Sequence, residues 1–380
     1  MSILVSAVMP CLNEEETLAF CIKKAQDAFK KLGIAGEVVV ADNGSTDSSV
    51  QIAEELGARV VHQSEKGYGA ALMAGIEGAH GKIVVMGDSD DSYDWSSIGD
   101  FVRKIEEGND LVMGNRFRGG IEKGAMPWHH RYFGNPVLSA IARLYCKAPI
   151  GDFHCGMRAF TKEGYSRMNL QTKGMEFASE MIVSATRNNL KIAEIPTKLY
   201  PDKRSRPPHL RSFRDGWRHL KFLMTYAPDH VLLWPGFLLL LPGLLLMALL
   251  CAGPTTVGSF YMGAHFLALG CMMTMLGASA LTLWMLSKRV MIYKHPSQQA
   301  GLGAGILNAL TLERQLILGT ILIVLGIGID GTILIQWLSV GGSMESTVHP
   351  AFAATTLVEV GLNLVFSAFV LNLITNERAN

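Results

Sequence analysis

Charge along this chain of 380 residues is divided sharply near residue 230, and that division constrains the fold more than any single motif. From Val231 onward stand five of the 34 basic residues, Lys288, Arg289, Lys294, Arg314 and Arg378. Five of the 33 acids lie there too, Glu313, Asp330, Glu345, Glu359 and Glu377. Within this charge-poor half, segments 231–252, 262–286, 315–340 and 352–374 are long and apolar enough for bilayer-spanning helices, which need roughly 20 apolar residues. Gly and Pro inside them are acceptable in lipid-embedded helices. Linkers 253–261 and 339–350 carry no Lys or Arg, whereas the linker between the second and third spans carries Lys288, Arg289, Lys294 and Arg314. The positive-inside rule therefore places that linker and both termini in the cytoplasm. A core-helix bundle of a soluble protein is the bland alternative.

The string "RSFRDGWRHLKFLMTYAP" precedes the first span. Arg211, Arg214, Arg218 and Lys221 fall on one helical face and Phe213, Trp217, Leu220 and Met224 on the other. That pattern predicts a helix lying in the headgroup layer, against the alternative of a helix packed on the soluble domain. Three parts are expected: a cytoplasmic domain over 1–210, an interfacial helix over 211–230 and a four-helix membrane domain over 231–380. Asp330 and Glu359 sit inside spans, where charge is costly, and either line a path for a lipid head or chain, pair structurally with a neighbouring span or subunit, or are protonated. The membrane helices leave homo-oligomerisation open. A net charge of +1 gives no reason to expect nucleic acid as a partner. The six cysteines show no paired spacing and read as reduced thiols facing the cytosol. The start "MSILVSAVMP" lacks a basic region before a long apolar core, so it reads as a first strand and not as a secretory signal.

Before residue 200, apolar runs rich in Val and Ile alternate with helical patterns: "ILVSAVMP", "EVVVADN", "ARVVHQ", "KIVVMGD" and "DLVMGN". Such alternation predicts an α/β fold with a doubly wound, mainly parallel sheet covered on both faces. Ligands of such sheets bind at the carboxyl ends of the strands, where "PCLNEE", "ADNGSTD" and "GDSDDSYD" fall. The last places four aspartates in eight residues. Asp88 and Asp90, two apart, can offer oxygens to one hard divalent ion, Mg²⁺ or Mn²⁺, shared with a substrate diphosphate. An Asp-rich loop can also cap the following helix, at Asp94 or Ser96, but capping uses one acid and not four. "GYGAAL" fits G-x-G at Gly67 and Gly69, yet has Leu72 where a dinucleotide fingerprint needs a third small residue.

Seven strings occur in order: "VMPCLNEEETL", "VVVADNGSTDSS", "KGYGAALMAGI", "GDSDDS", "GNRF", "DFHCGMRAF" and "EFASEM". Over about residues 3–200 the chain resembles the inverting family 2 glycosyltransferases of GT-A fold, in the dolichyl- or polyprenyl-phosphate sugar synthase branch with C-terminal transmembrane helices. The resemblance implies a donor pocket shaped by Pro10, Leu12, Asn13 and Glu14, with Asp42 on the base or ribose and Lys66 and Ser89 also on the donor. It implies that Asp88 and Asp90 form the D-x-D pair holding metal and diphosphate. Arg116 would approach the phosphates from the acceptor side, Arg131 and Asn135 would hold the acceptor phosphate, and Asp152 would line the site. The family often has Gln two places after D-x-D as a further metal ligand; Ser92 stands there and would reach the ion through water. The common R-x-x-G-x-S-K-L segment is replaced by "DKRSRPPHLRSF", in which Arg204 and Arg206 are its expected equivalents.

The expected reaction is metal-dependent inverting transfer of a hexose from UDP-glucose or GDP-mannose to polyprenyl phosphate at the cytoplasmic membrane face. A phosphate monoester is largely ionised at neutral pH, so no essential general base is expected, with Asp152 the candidate if one exists. A hydroxyl acceptor would need such a base. A processive or glycolipid-forming membrane glycosyltransferase is the enzymatic rival; the Q-x-x-R-W string of processive synthases does not occur. A catalytically silent scaffold or lipid-head transporter is the rival from another class.

Overall fold

The computed structural model describes residues 3–146, 148–205, 212–294, 304–340 and 347–376. The chain divides into two compact units, Met1–Thr225 and Tyr226–Asn380.

The first unit opens with β1 (Val5–Cys11), α1 (Leu18–Leu32), β2 (Gly36–Asp42), α2 (Ser49–Glu55), β3 (Arg59–His62), α3 (Tyr68–Gly78) and β4 (Ile83–Met86). There follow α4 (Ile98–Glu106), β5 (Leu111–Asn115), α5 (Arg116–Gly119), α6 (Asn135–Cys146), β6 (Arg158–Thr161), α7 (Lys162–Met168), α8 (Phe177–Arg187), β7 (Ile192–Pro196) and α9 (Ser212–Thr225). The sheet has seven strands in the order β3-β2-β1-β4-β6-β5-β7. β1 to β4 run parallel, as continuous Val and Ile runs buried from both sides should. β6 runs antiparallel between β4 and β5, and β7 is parallel to β5. The sheet is thus mixed, and β6 and β7 are additions to the five strands legible in the sequence. The order reverses between β1 and β4, the kind of switch point that opens a crevice at the strand ends. The core beneath it is built from β1, β2 and β4 together with Ile22 and Phe29 of α1 and Phe101 of α4, with Trp95 fully buried.

Helix α9 packs within this unit through Asp215, His219, Phe222 and Leu223, all buried. His219 shares a 2.7 Å hydrogen bond with Ser179 Oγ, and burial lowers its pKa to about 4. It is therefore neutral, which makes an imidazole tolerable in that interface. On the outer side Phe213 and Trp217 are 93% and 59% exposed, beside exposed Arg214, Arg218 and Lys221. Arg211 lies outside the described residues.

In the second unit four helices are long and apolar enough to cross a membrane, over Asp229–Leu250, Ala264–Ile292, Leu312–Ser339 and Val348–Leu373. They belong to α10 (Trp234–Leu250), α11 (Ala264–Lys294), α13 (Leu312–Val340) and α14 (Val348–Asn376), with a short α12 (Ala304–Ala309) between the middle two. Small residues let the backbones approach: a Cβ on Gly243 of α10 would lie 2.6 Å from the Thr274 nitrogen of α11. Polar groups clasp the bundle where charge would otherwise be stranded. Asp229 accepts from Trp284 Nε1 and Lys288 Nζ, each at 2.7 Å, and Asn363 Nδ2 donates to Ser279 Oγ at 2.9 Å.

Candidate active site

The loops after β1 and β2 are laced together. Asn13 holds a left-handed conformation (φ 59°), its N–H donates to Ser45 Oγ at 3.0 Å, and its Oδ1 accepts from the Thr46 N–H at 2.7 Å. The Glu14 N–H donates to Ser49 Oγ at 2.8 Å. Asp42, at the end of β2, accepts from the Ser45 and Gly44 N–H groups at 2.9 and 3.2 Å and shares a 3.2 Å contact with His62. Burial opposes its charge, but these hydrogen bonds prevail and its pKa is lowered. Lys66 Nζ closes the same turn on the Asn43 carbonyl at 2.7 Å. The loop after β4 joins the one after β1 through Ser89 Oγ, which donates to the Pro10 carbonyl at 2.7 Å. Leu12 is half-buried between these contacts.

The four clustered aspartates divide their work. Asp94 caps the following turn, accepting from the Ser96 N–H at 3.0 Å. Asp91 takes Lys24 on one oxygen and Lys203 on the other, both at 2.6 Å. Asp88 is held by the Tyr68 hydroxyl at 3.1 Å, and a Cβ on Gly156 would lie 2.7 Å from its Oδ2. Burial, then the neighbouring Asp90 charge, raises Asp88 to about 7. Asp90 accepts from the Ser92 N–H at 3.0 Å and from Arg204 Nη2 at 2.9 Å. Ser92 is buried, and its carbonyl accepts from the Tyr200 N–H at 2.9 Å.

Beyond β5, Arg116 and Asp152 form a buried fork. Arg116 Nε and Nη2 reach the two Asp152 oxygens at 2.7 and 2.8 Å, and the Arg116 N–H adds a bond of 3.0 Å. Asp152 is fully buried. Arg131 lies in a π turn, its guanidinium 5.5 Å from the Tyr132 ring centre, and Asn135 Nδ2 contacts Met126 Sδ at 3.4 Å. Burial, followed by His129 and Arg116, lowers the pKa of His130 in the same turn. Arg206 lies outside the described residues.

Sequence reasoning named the Asp88–Asp90 pair, Glu14 and Arg204 as three separate parts of the site, and the structure brings Glu14, Asp90 and Arg204 into one cluster. It missed Tyr68, Lys24 and Lys203. Tyr68 stands inside the rejected "GYGAAL" string, and Lys203 sits beside Arg204, so both were in view without a reason to choose them. A cleft of about 310 Å³ lined by Asn13, Glu14, Glu15, Glu16, Thr46, Asp47, Arg204 and Ser205 opens at these loops. Among the described residues, no three His, Cys, Asp or Glu side chains already converge as a metal cage. The donor chemistry nevertheless suits a hard cation shared with a diphosphate. The candidates are carboxylate oxygens, Asp88 resists ionising beside Asp90, and a guanidinium already lies between Glu14 and Asp90.

A family model described as "Glycosyl transferase family 2" matches residues 6–168, and one described as "Glycosyltransferase family 2 C-terminal transmembrane region" matches residues 285–375. Over 370 residues, 97% of this chain and 88% of the relative, the chain is 35% identical to "Low-salt glycan biosynthesis hexosyltransferase Agl6" of Haloferax volcanii. It is 31% identical to "Dolichyl-phosphate hexose transferase" of the same organism over 50% of this chain and 81% of the relative. Among solved structures, glucosyl-3-phosphoglycerate synthase from Mycobacterium tuberculosis, crystallised with Mn²⁺, UDP and phosphoglyceric acid, matches with a TM-score of 0.46 at 22% identity, over 59% of this chain and 78% of that one. The family matches and the hexosyltransferase relative make this a glycosyltransferase, built on a mixed sheet of seven strands, and the four apolar helices with the matching transmembrane region make it an integral membrane protein. The chain belongs to glycosyltransferase family 2, in the form that carries a C-terminal transmembrane region.

Proposed function

We propose that this enzyme transfers a hexose from a nucleotide sugar to polyprenyl phosphate at the cytoplasmic membrane face, with Mg²⁺ or Mn²⁺ bound at Asp88 and Asp90. The observation that carries the reading is the half-buried Asp88 beside the buried Asp90 at the β1/β4 switch point, a pair that calls for a cation. A bound divalent ion would neutralise the charge of the departing diphosphate. Pro10, Leu12, Asn13, Glu14, Asp42, Lys66 and Ser89 surround the donor side, Asp42 in an ionised state suited to a ribose or base donor group. Ser92 supports the metal turn through its main chain. The name of the dolichyl-phosphate hexose transferase relative supports the lipid-phosphate acceptor.

On the acceptor side, Asp152 keeps the Arg116 guanidinium in one orientation, and Arg131, Asn135, Arg204 and Arg206 supply further phosphate donors. Both Asp152 oxygens are engaged by Arg116, so the carboxylate serves as an anchor and is poorly suited to take a proton. That favours an acceptor already ionised, as a phosphate monoester is. In-line attack would give a β-linked product from an α-linked donor.

The test is incubation of membranes carrying the enzyme with labelled UDP-glucose or GDP-mannose and polyprenyl phosphate. An acid-labile lipid bearing a single sugar supports the reading, polymer points to a processive synthase, and the absence of metal-dependent transfer overturns it. Arg131→Ala should raise the apparent KM for lipid phosphate roughly tenfold, as loss of a charged hydrogen bond of ~1.5 kcal/mol implies, with little change for the nucleotide sugar. Equal changes for both substrates would remove Arg131 from the acceptor site.

A further inference from the structure

Arg204 stands where the positive charge of an ion would be expected. Its Nη1 is 3.2 Å from Glu14 Oε1, and its Nη2 is 2.9 Å from Asp90 Oδ2 and 2.8 Å from Asp202 Oδ2. The side chain is only 11% exposed. Its Nε, also buried, has no hydrogen-bond partner among the described residues, so the guanidinium is held by charge at its tip without a complete set of bonds. The neighbouring residues fasten the same segment. Lys203 pairs with Asp91 at 2.6 Å, the Tyr200 N–H reaches the Ser92 carbonyl at 2.9 Å, and the Ser205 N–H reaches Glu16 Oε2 at 2.7 Å. Residues 200–205 thus lie as a strap across the loops after β1 and β4.

We propose that Arg204 is a resident cation of the acidic cradle, displaced when a divalent ion binds Asp90, and that its departure unfastens the strap. The inference rests on the metal reading of Asp90 given above. Like charges cannot share the Asp90 Oδ2 atom at these distances, so metal and guanidinium compete for it. Competition is reciprocal: whatever Arg204 contributes to closing the strap is subtracted from metal affinity. The arrangement lets the acids be neutralised before metal arrives. Afterwards it releases an arginine whose planar donors suit a second anion, so donor loading precedes acceptor capture.

The probe is Mn²⁺ alone, titrated into the full-length enzyme in detergent and followed by loss of the free-ion electron paramagnetic resonance signal. Arg204→Ala should tighten Mn²⁺ binding roughly tenfold, within the usual range of site-to-site coupling. Arg204→Lys, which keeps the charge without the fork, should fall between it and the native enzyme. Lys24→Ala removes a nearby charge bound to Asp91 alone and should change affinity less. Trypsin adds an independent readout, since cleavage after Lys203 should be slow without metal, accelerated by Mn²⁺, and fast in Arg204→Ala under either condition. If Asp90→Asn abolishes Mn²⁺ binding while Arg204→Ala leaves affinity and cleavage unchanged, the latch is rejected and the metal reading stands. An equal effect of Lys24→Ala also rejects it. If Asp90→Asn binds Mn²⁺ like the native enzyme, the metal reading fails and the latch with it.

Discussion

Asp90→Asn is expected to lower sugar transfer by about 10³-fold while the protein keeps its thermal midpoint. The catalytic loss follows from removing one of two carboxylates that would hold the ion on the departing diphosphate, where a single well-placed electrostatic contact is worth two to three orders of magnitude. The fold should survive because the amide oxygen still accepts from the Ser92 N–H, the bond that shapes the turn, and Arg204 keeps Glu14 and Asp202 as partners. Paired measurement of initial rate and melting temperature checks both halves. Turnover undiminished at saturating Mn²⁺ would remove the metal from Asp90.

Arg116→Ala should be damaging in a different way. Deleting the guanidinium leaves Asp152 fully buried without its bidentate partner, and breaking a buried pair from one side costs about 3–5 kcal/mol. Both a depressed melting temperature and lost transfer are expected, so this substitution alone cannot separate packing from chemistry. The double replacement Arg116→Met with Asp152→Leu can, because apolar side chains of similar volume often replace a buried ion pair without net cost. Recovery of the melting temperature without recovery of transfer is the expected result. A double variant that also regains activity would mean that Arg116 has no part in binding phosphate.

How much of this was legible beforehand depended on whether the signal was local. The five strands found in the sequence are long runs of Val and Ile, whereas β6 is four residues beginning with Arg158 and β7 ends in Pro196. Neither carries a period strong enough to stand out; both are strands because neighbours supply their ladders. The acidic turn after β4 was visible as an anomaly. Its division of labour was not, since Asp91 is defined by Lys24, 67 residues away. Arg116 and Asp152 were each named, but as separate members of the site, because their separation of 36 residues closes only through the loop before β6. In α9 Phe213 and Trp217 are exposed on the same side as Arg214, Arg218 and Lys221, so the expected division into a basic and an apolar face is not the one that decides burial. The buried stripe runs instead through Asp215 and His219, two polar residues that periodicity would assign to water.

The reversed strand has a consequence for how such enzymes diversify. Because β6 is antiparallel, its beginning meets the ends of β4 and β5, with Arg158 opposite both Met86 and Met113. The excursion from Asn115 to Met157 therefore leaves and re-enters the sheet at adjacent points, stapled by the Gly114 N–H on the Met157 carbonyl at 3.0 Å. A detour whose ends are tied can be lengthened or exchanged at small entropic cost and without disturbing strands β1 to β4. If the excursion holds the acceptor as proposed, recognition of the receiving molecule can be retailored as a cassette while the leaving-group machinery is inherited intact.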